Sequence, residues 1–389
     1  FDVTVRTPSL GETEVLDFIG ASDLEVANIT NEGDVNSITY MDSFQGAQGV
    51  LKVDAKDWGH WGFDGLHGQN ASIYTSAKYL VARMWVETSN SSNYTYIGES
   101  FSNADNKMLT NLKSGYWLNY YFNANKFYWN DFGSYYASMA TRYAGVYYID
   151  KIYVTDTLDV FEANTAFCII GGNGGWDATA EVVSEYKGAN DVVKITAKNW
   201  GVFTYKNLIS MTECAKYDYI VMRIYADSST TATDGWIGLY ASSATRTPLI
   251  EDRWYDYYFD ASTLTGLSSW ESYDKAGIYF RYAGDYYIDS MYMTNELPET
   301  LTVLDFSSEA STSYLTSGGW DISSTQYLSE FENKTGVLAI TGTGSYAIQC
   351  MNLGHISTEP LKGNYTHFVI RAYADTTVTS AYIRLGYEY

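Results

Sequence analysis

Tyr219-Ile220-Val221-Met222-Arg223-Ile224-Tyr225-Ala226 alternates with a period of two. Successive side chains of an extended chain point to opposite faces, so Ile220, Met222, Ile224 and Ala226 share one face and Tyr219, Val221, Arg223 and Tyr225 the other. The first face is wholly apolar and belongs against a core. The second is aromatic and polar, a face that can meet water or a ligand. The segment therefore reads as a strand in a sheet with one buried face. A second run behaves alike, with Trp254, Asp256 and Tyr258 on one side and Tyr255, Tyr257 and Phe259 on the other. Turn signals such as Asn173-Gly174-Gly175, Thr233-Asp234-Gly235 and Ser317-Gly318-Gly319 separate such runs, and amphipathic helical patterns are missing.

The arginine strand occurs three times, as Tyr79 to Trp85 around Arg83, Tyr219 to Tyr225 around Arg223, and His367 to Tyr373 around Arg371. Arg142-Tyr143-Ala144-Gly145 with Tyr147-Tyr148-Ile149-Asp150 returns about 140 residues later as Arg281-Tyr282-Ala283-Gly284 with Tyr286-Tyr287-Ile288-Asp289, an interval that suits a whole domain. Trp117 with Tyr121-Phe122 returns as Trp254 with Tyr258-Phe259. Short apolar strands open each copy at Val15 to Phe18, Asp159 to Phe161 and Val303 to Phe306. Some eight or more short strands per copy imply an all-β chain of tandem antiparallel β-sandwich, jelly-roll domains. The expected boundaries are 14–156 for repeat 1, 157–298 for repeat 2 and 299–389 for a third repeat that stops before its Trp strand and closing strand. Residues 1–13 read as the last strand of a preceding repeat plus a connector. The residues thus look like a window on a longer array. Strands missing from an end would have to come from chain outside the window or from neighbouring copies, which would make the protein a polymer.

Composition narrows the function classes. There are 46 acidic and 24 basic residues, a net charge of −22, which argues against nucleic acid and anionic membrane surfaces as partners. No apolar run is long enough to span a bilayer. Hydrophobic residues make up 46% and aromatic ones 17%, ample for a core in each module, and the 4 prolines leave no long flexible linker. Cys168, Cys214 and Cys350 have no counterparts in other copies, so no disulfide is built into the module, although Cys168 and Cys214 could pair. The Tyr-, Asn-, Ser-, Thr- and Gly-rich, Lys-poor composition suits an extracellular or cell-surface protein. His60, His67, His355 and His367 occupy non-equivalent positions without zinc spacing, and no Gly-x-Ser-x-Gly elbow or phosphate loop occurs.

A module that opens on Val-Leu-Asp-Phe, carries Gly174-Gly175-Trp176 or Gly318-Gly319-Trp320, continues through the arginine and Trp strands and closes on Tyr-Ile-Asp resembles the jelly-roll carbohydrate-binding modules of secreted bacterial proteins, within the galactose-binding-like group. Repeat 1 departs from it, with Gly20-Ala21-Ser22-Asp23 after Phe18. The resemblance implies binding of a polysaccharide or surface glycan on aromatic platforms, because the C–H faces of a sugar pack on a ring while polar neighbours bond its hydroxyls. Candidate ligand-binding residues are Trp58 and Trp61, in the glycine-flanked Asp57-Trp58-Gly59-His60-Trp61-Gly62, and Trp200 at the position of Trp58. Arg83 beside Trp85, Arg223 beside Tyr225 and Arg371 beside Tyr373 complete the set. The same residues have a structural reading. The tryptophans would cover the end of the sandwich, and each arginine would stack on its aromatic neighbours and pair with a carboxylate. The resemblance also implies a possible structural Ca2+ at Asp17, Asp150, Asp289 and Asp305, hard oxygen donors near the first and last strands.

Three functions remain open on the sequence: a non-catalytic, adhesin-like glycan-binding array; a stalk, surface-layer or filament subunit whose modules contact each other; and part of a glycoside hydrolase.

Overall fold

The computed structural model describes residues 12–20, 29–63, 77–97, 107–124, 138–170, 178–199, 201–205, 209–227, 236–239, 245–248, 252–264, 278–280, 283–299, 306, 312, 315–316, 321–343, 350–351 and 367–374. The expected strand and connector in residues 1–13 fall outside them, except for Glu12 and Thr13.

Repeat 1 contains β1 (Thr13–Leu16), β2 (Ile29–Phe44), β3 (Ala47–Phe63), β4 (Tyr79–Glu87), β5 (Thr95–Ile97), β6 (Trp117–Asn123), β7 (Ser138–Thr141) and β8 (Gly145–Thr155). Their order is β5-β7-β3-β8-β4-β6, with β2 on β3 and β1 on β8. The first half of β3 pairs with β8 through Leu51 and Ile149, and its second half pairs with β7 through His60 and Ala140. One long strand thus serves two layers, bending at Asp57-Trp58-Gly59. Trp58 takes a left-handed backbone (φ 63) there. A Cβ on Gly59 would stand 2.8 Å from both the Ala55 Cβ and the Asp34 carbonyl oxygen, so the bend leaves room for glycine alone.

Repeat 2 contains β9 (Leu158–Asp159), β10 (Cys168–Ile170), β11 (Ala178–Tyr186), β12 (Ala189–Ala197), β13 (Gly201–Tyr205), β14 (Tyr219–Ala226), β15 (Trp236–Leu239), β16 (Thr245–Pro248), β17 (Trp254–Asp260), β18 (Ile278–Phe280) and β19 (Gly284–Thr294). Here the bend splits the long strand into β12 and β13, and two sheets result: β11-β12-β19-β14-β17 with β9 on β19, and β10-β13-β18-β15-β16. Gly201 repeats Gly59, its Cβ position lying 2.8 Å from the Ala197 Cβ. All these pairings are antiparallel. The architecture is therefore all-β, with two tandem jelly-roll sandwiches. A short helical turn, Met211–Cys214, precedes β14.

The inner faces follow the alternation. Leu80, Ala82, Met84 and Val86 are buried in repeat 1, and Ile220, Met222, Ile224 and Ala226 in repeat 2, with Tyr257, Phe259, Tyr286 and Ile288. Cys168 and Cys214 are both free thiols. In the third repeat β20 (Leu315–Thr316) pairs with β23 (Cys350–Met351), and β21 (Ile322–Phe331) with β22 (Lys334–Gly342). The expected arginine strand there is not seen. Residues 367–374 are exposed and carry no strand among the described residues. In repeats 1 and 2 the arginine strand is held between the Trp strand and the closing strand, and both follow it in sequence.

Candidate functional site

A β-bulge organises the outer face of the larger sheet. Arg83 on β4 faces Lys151 on β8, but the next residue, Met84, faces Ile149, so Asp150 is the extra residue. Repeat 2 does the same, with Arg223 facing Ser290, Ile224 facing Ile288, and Asp289 extra. An extra residue reverses the alternation of a strand, which lets Tyr148 and Tyr153 both lie on the outer face. It also sets the carboxylate beside the arginine. Arg83 Nη1 donates to Asp150 Oδ2 at 2.7 Å, and Arg223 Nε lies 3.5 Å from Asp289 Oδ2. The arginines remain open to water, with 36% and 46% of their side chains exposed. Burial pushes the Asp150 carboxyl up to about 6, against the opposing pull of Arg83. Asp256, facing Arg223 from β17, is raised by burial as well, with Arg223 pulling it down and Asp289 pushing it up.

Beside each arginine stands an aromatic quartet. In repeat 1 it is Phe44, Trp85, Trp117 and Tyr148, and in repeat 2 Tyr186, Tyr225, Trp254 and Tyr287. Phe44 stacks on Tyr148 at 3.7 Å with planes 3° apart, and Tyr186 on Tyr287 at 3.5 Å and 6°. The guanidinium of Arg83 lies 5.4 Å from the Trp117 ring, that of Arg223 5.8 Å from Trp254. The fourth corner comes from the β2–β3 and β11–β12 hairpins. Their turn residues Gln45 and Lys187 are left-handed (φ 48 and 49) and precede Gly46 and Gly188. Each turn carbonyl accepts the indole N–H of the Trp strand, Trp117 to Gln45 at 3.2 Å and Trp254 to Lys187 at 3.1 Å. Tyr148, Tyr225 and Tyr287 are buried within the clusters, while Trp85, Trp117 and Trp254 keep partly open rings.

The opening bend of β3 forms a separate feature at the end of the sandwich. Trp58 is 40% exposed, and the Arg142 guanidinium covers its ring at 3.6 Å. The Arg-Tyr-Ala-Gly loop is tied to this bend, because the Ala144 amide donates to Asp57 Oδ1 at 2.8 Å and the Ala283 amide to Asn199 Oδ1 at 2.8 Å. Buried Asn93 holds the loop from beneath, bonding the Tyr143 carbonyl at 3.0 Å and the Tyr147 hydroxyl at 2.7 Å.

The sequence candidates divide accordingly. Arg83 with Trp85 and Arg223 with Tyr225 lie together on the outer face, each arginine both paired with its carboxylate and open to water. Trp61 is corrected. Its ring is fully buried and packs 5.5 Å from Tyr147 in the core, so it offers no face to a ligand. Tyr373 is 68% exposed and meets Phe331 at 5.4 Å, half of the quartet's arrangement, with Arg371 exposed beside it. Trp200 and Asp305 lie outside the described residues. Asp17 accepts from the Ile19 amide at 3.0 Å, Asp150 is paired with Arg83 and Asp289 with Arg223. Among the described residues no group of three His, Cys, Asp or Glu is placed to hold a metal ion. Phe44, Tyr148, Tyr186 and Tyr287 are the residues that sequence reasoning missed. For Phe44 and Tyr186 the signal was present in the hairpin tips Phe44-Gln45-Gly46 and Tyr186-Lys187-Gly188, and for Tyr148 and Tyr287 in the repeated Tyr-Tyr-Ile-Asp.

No protein-family model matches the chain, and no curated protein does. Among solved structures the chain is similar to the N-terminal CBM22-1-CBM22-2 tandem domain from Paenibacillus barcinonensis Xyn10C, with 12% identity and a TM-score of 0.26 over 69% of this chain and 93% of that one. It is also similar to the family 11 carbohydrate-binding module of cellulosomal cellulase Lic26A-Cel5E of Clostridium thermocellum, with 14% identity and a TM-score of 0.25 over 36% of this chain and 95% of that one. The fold assignment itself rests on the strand pairing described above. No helix of the described residues is long and apolar enough to cross a membrane.

Proposed function

We propose that the chain is a non-catalytic, extracellular or cell-surface glycan-binding array that uses the outer face of its larger sheets in an adhesin-like role. One observation carries this reading. In repeats 1 and 2 a β-bulge sets a solvent-open arginine and its aspartate next to a half-open tryptophan, Arg83–Asp150 by Trp117 and Arg223–Asp289 by Trp254. A sugar ring needs that combination: an apolar ring face for its C–H side, and charged donors and acceptors for its hydroxyls. The arginine is held in place before the ligand arrives, which lowers the ordering cost of binding. Affinity electrophoresis of the whole chain through gels containing soluble polysaccharides tests it. Retardation by at least one polysaccharide is expected, and no retardation of a folded sample by any of them would sink the reading.

A second reading, a stalk or filament whose modules contact each other, is favoured by the packed joint between repeats 1 and 2. Tyr116 of repeat 1 meets Phe167 of repeat 2 at 5.1 Å, and one continuous core cluster runs through both repeats. The two readings are compatible, because the described contacts of the joint fall on Tyr79, Thr110, Tyr116 and Tyr121 and leave the Arg83 side chain 36% exposed.

A further inference from the structure

The end of repeat 1 holds two basic side chains that the arginine strip does not use. On the sheet faces Arg83 is paired with Asp150, Arg223 with Asp289, Lys151 with Glu12 and Glu14, and Lys194 with Glu181 and Asp285. Arg142 and Lys107 differ. Among the described residues no carboxylate pairs with either, and each lies against an aromatic ring instead. The carboxylate nearest in sequence to Trp58, Asp57, is turned to the Ala144 amide at 2.8 Å.

The two cations stand on one row of neighbouring segments. The Trp58 amide donates to the Arg142 carbonyl at 3.4 Å, and the Arg142 amide to the Tyr94 carbonyl at 3.0 Å. Tyr96, on β5, bridges Lys107, and the Met108 amide donates to the Thr95 carbonyl at 3.0 Å. The Arg142 guanidinium lies 3.6 Å from the centre of the Trp58 ring and 5.3 Å from that of Tyr143, and the Lys107 ammonium lies 4.0 Å from that of Tyr94. Tyr94 and Tyr96 join the two halves, edge to face at 4.9 Å and hydrogen-bonded through their side chains. Burial pushes the Tyr96 hydroxyl up to about 12 and the positive charge of Arg142 pulls against it, which places the guanidinium close to the tyrosine pair.

A guanidinium seated on an indole engages its face, while its in-plane N–H groups stay available to a carboxylate, which that fork fits with two parallel hydrogen bonds. Lys107 is exposed and adds a second positive charge. Trp58 is 40% exposed and holds a left-handed backbone (φ 63), a conformation that a bulky residue keeps only where its surroundings enforce it. We propose that the row of Trp58, Arg142, Tyr94 and Lys107 is a second glycan site in repeat 1, separate from the arginine strip, and that it takes an acidic saccharide. The carboxylate of a uronate meets Arg142 and Lys107, and its sugar ring packs on the aromatic side chains. The saccharide part of this assignment rests on the glycan reading above, and the carboxylate part on the two cations alone. With a net charge of −22 the chain repels anions at long range, so an anion bound here is held by these contacts. The loop is set before the ligand arrives, because Asn93 donates to the Tyr143 carbonyl and accepts from the Tyr143 amide, both at 3.0 Å. The counterparts in repeat 2, Trp200 and Arg281, lie outside the described residues, so the site is assigned to repeat 1.

Isothermal titration calorimetry of the whole chain with tetragalacturonate and with its neutral methyl ester tests this. The acid is expected to bind roughly tenfold or more tightly than the ester, the difference that charged hydrogen bonds make. Arg142→Gln is expected to weaken binding of the acid by roughly tenfold and so to erase its advantage over the ester. Lys107→Gln changes an exposed side chain, which leaves the fold intact, and should weaken the acid about threefold. Equal affinity for acid and ester, no heat with the acid at millimolar concentration, or undiminished binding of the acid in both variants would overturn the proposal. Retardation by neutral polysaccharides reports on the arginine strip and the acid–ester pair on this end of the sandwich, so either site can fail without the other.

Discussion

Asp150 is where burial and charge pairing compete, and the balance is measurable. Its carboxyl is pushed up to about 6 by desolvation although Arg83 lies 2.7 Å away. A folded value above the unfolded one means that protonation favours the fold. The contribution is complete below the unfolded value near 3.8 and is lost as the pH rises through about 6. An asparagine keeps an oxygen acceptor for the arginine and never ionises. Asp150→Asn should therefore leave stability at pH 4 nearly unchanged and raise it by on the order of 1–3 kcal/mol at pH 7, followed as the difference between variant and parent melting curves across that range. A variant less stable than the parent at pH 7 would mean that the ion pair outweighs the desolvation. Arg83→Ala differs in kind, since it strands a buried carboxylate, and should destabilise repeat 1 at pH 7 more than at pH 4.

Strand periodicity was legible in the sequence because inner faces alternate strictly: Ile220, Met222 and Ile224 are buried as their spacing requires. The bulge was not legible. One extra residue at Asp150 and Asp289 changes which side chains share a face, and nothing in the local residue types marks it. Trp61 was misplaced for a related reason. After the bend at Trp58-Gly59, β3 enters the second layer, and its inward side then includes Trp61. The bend itself yields a prediction. Gly59→Ala forces a Cβ to 2.8 Å from Ala55 and the Asp34 carbonyl, and should cost about 1–3 kcal/mol by chemical denaturation. Adding Ala55→Gly should recover part of that loss by removing one of the two clashes. The hairpin latch is separable from the bend. Trp117→Phe removes the indole N–H that Gln45 accepts while keeping an aromatic ring, and should speed amide exchange at Phe44 to Gln48 with little change in the core strands.

At the scale of the molecule, what recurs between repeats 1 and 2 is surface: the arginine with its bulge aspartate and the aromatic quartet. Histidine and cysteine do not recur, and the fully buried Cys214 belongs to the joint. On the glycan reading repetition matters, because each added site binds at the effective concentration set by its neighbour. The repeats are not copies in charge, since Asn119 faces Arg83 where Asp256 faces Arg223. The two strips should therefore differ in affinity for the same sugar. Isothermal titration calorimetry of the whole chain with a polysaccharide that retards it in gels, compared with the Arg83→Ala/Arg223→Ala double variant, bears on the glycan reading itself. Loss of one charged hydrogen bond per site, about 1.5–3 kcal/mol, predicts affinity weakened by roughly tenfold or more with the far-UV spectrum unchanged. Undiminished affinity in a folded double variant would contradict it and place any glycan contact away from the arginine strip.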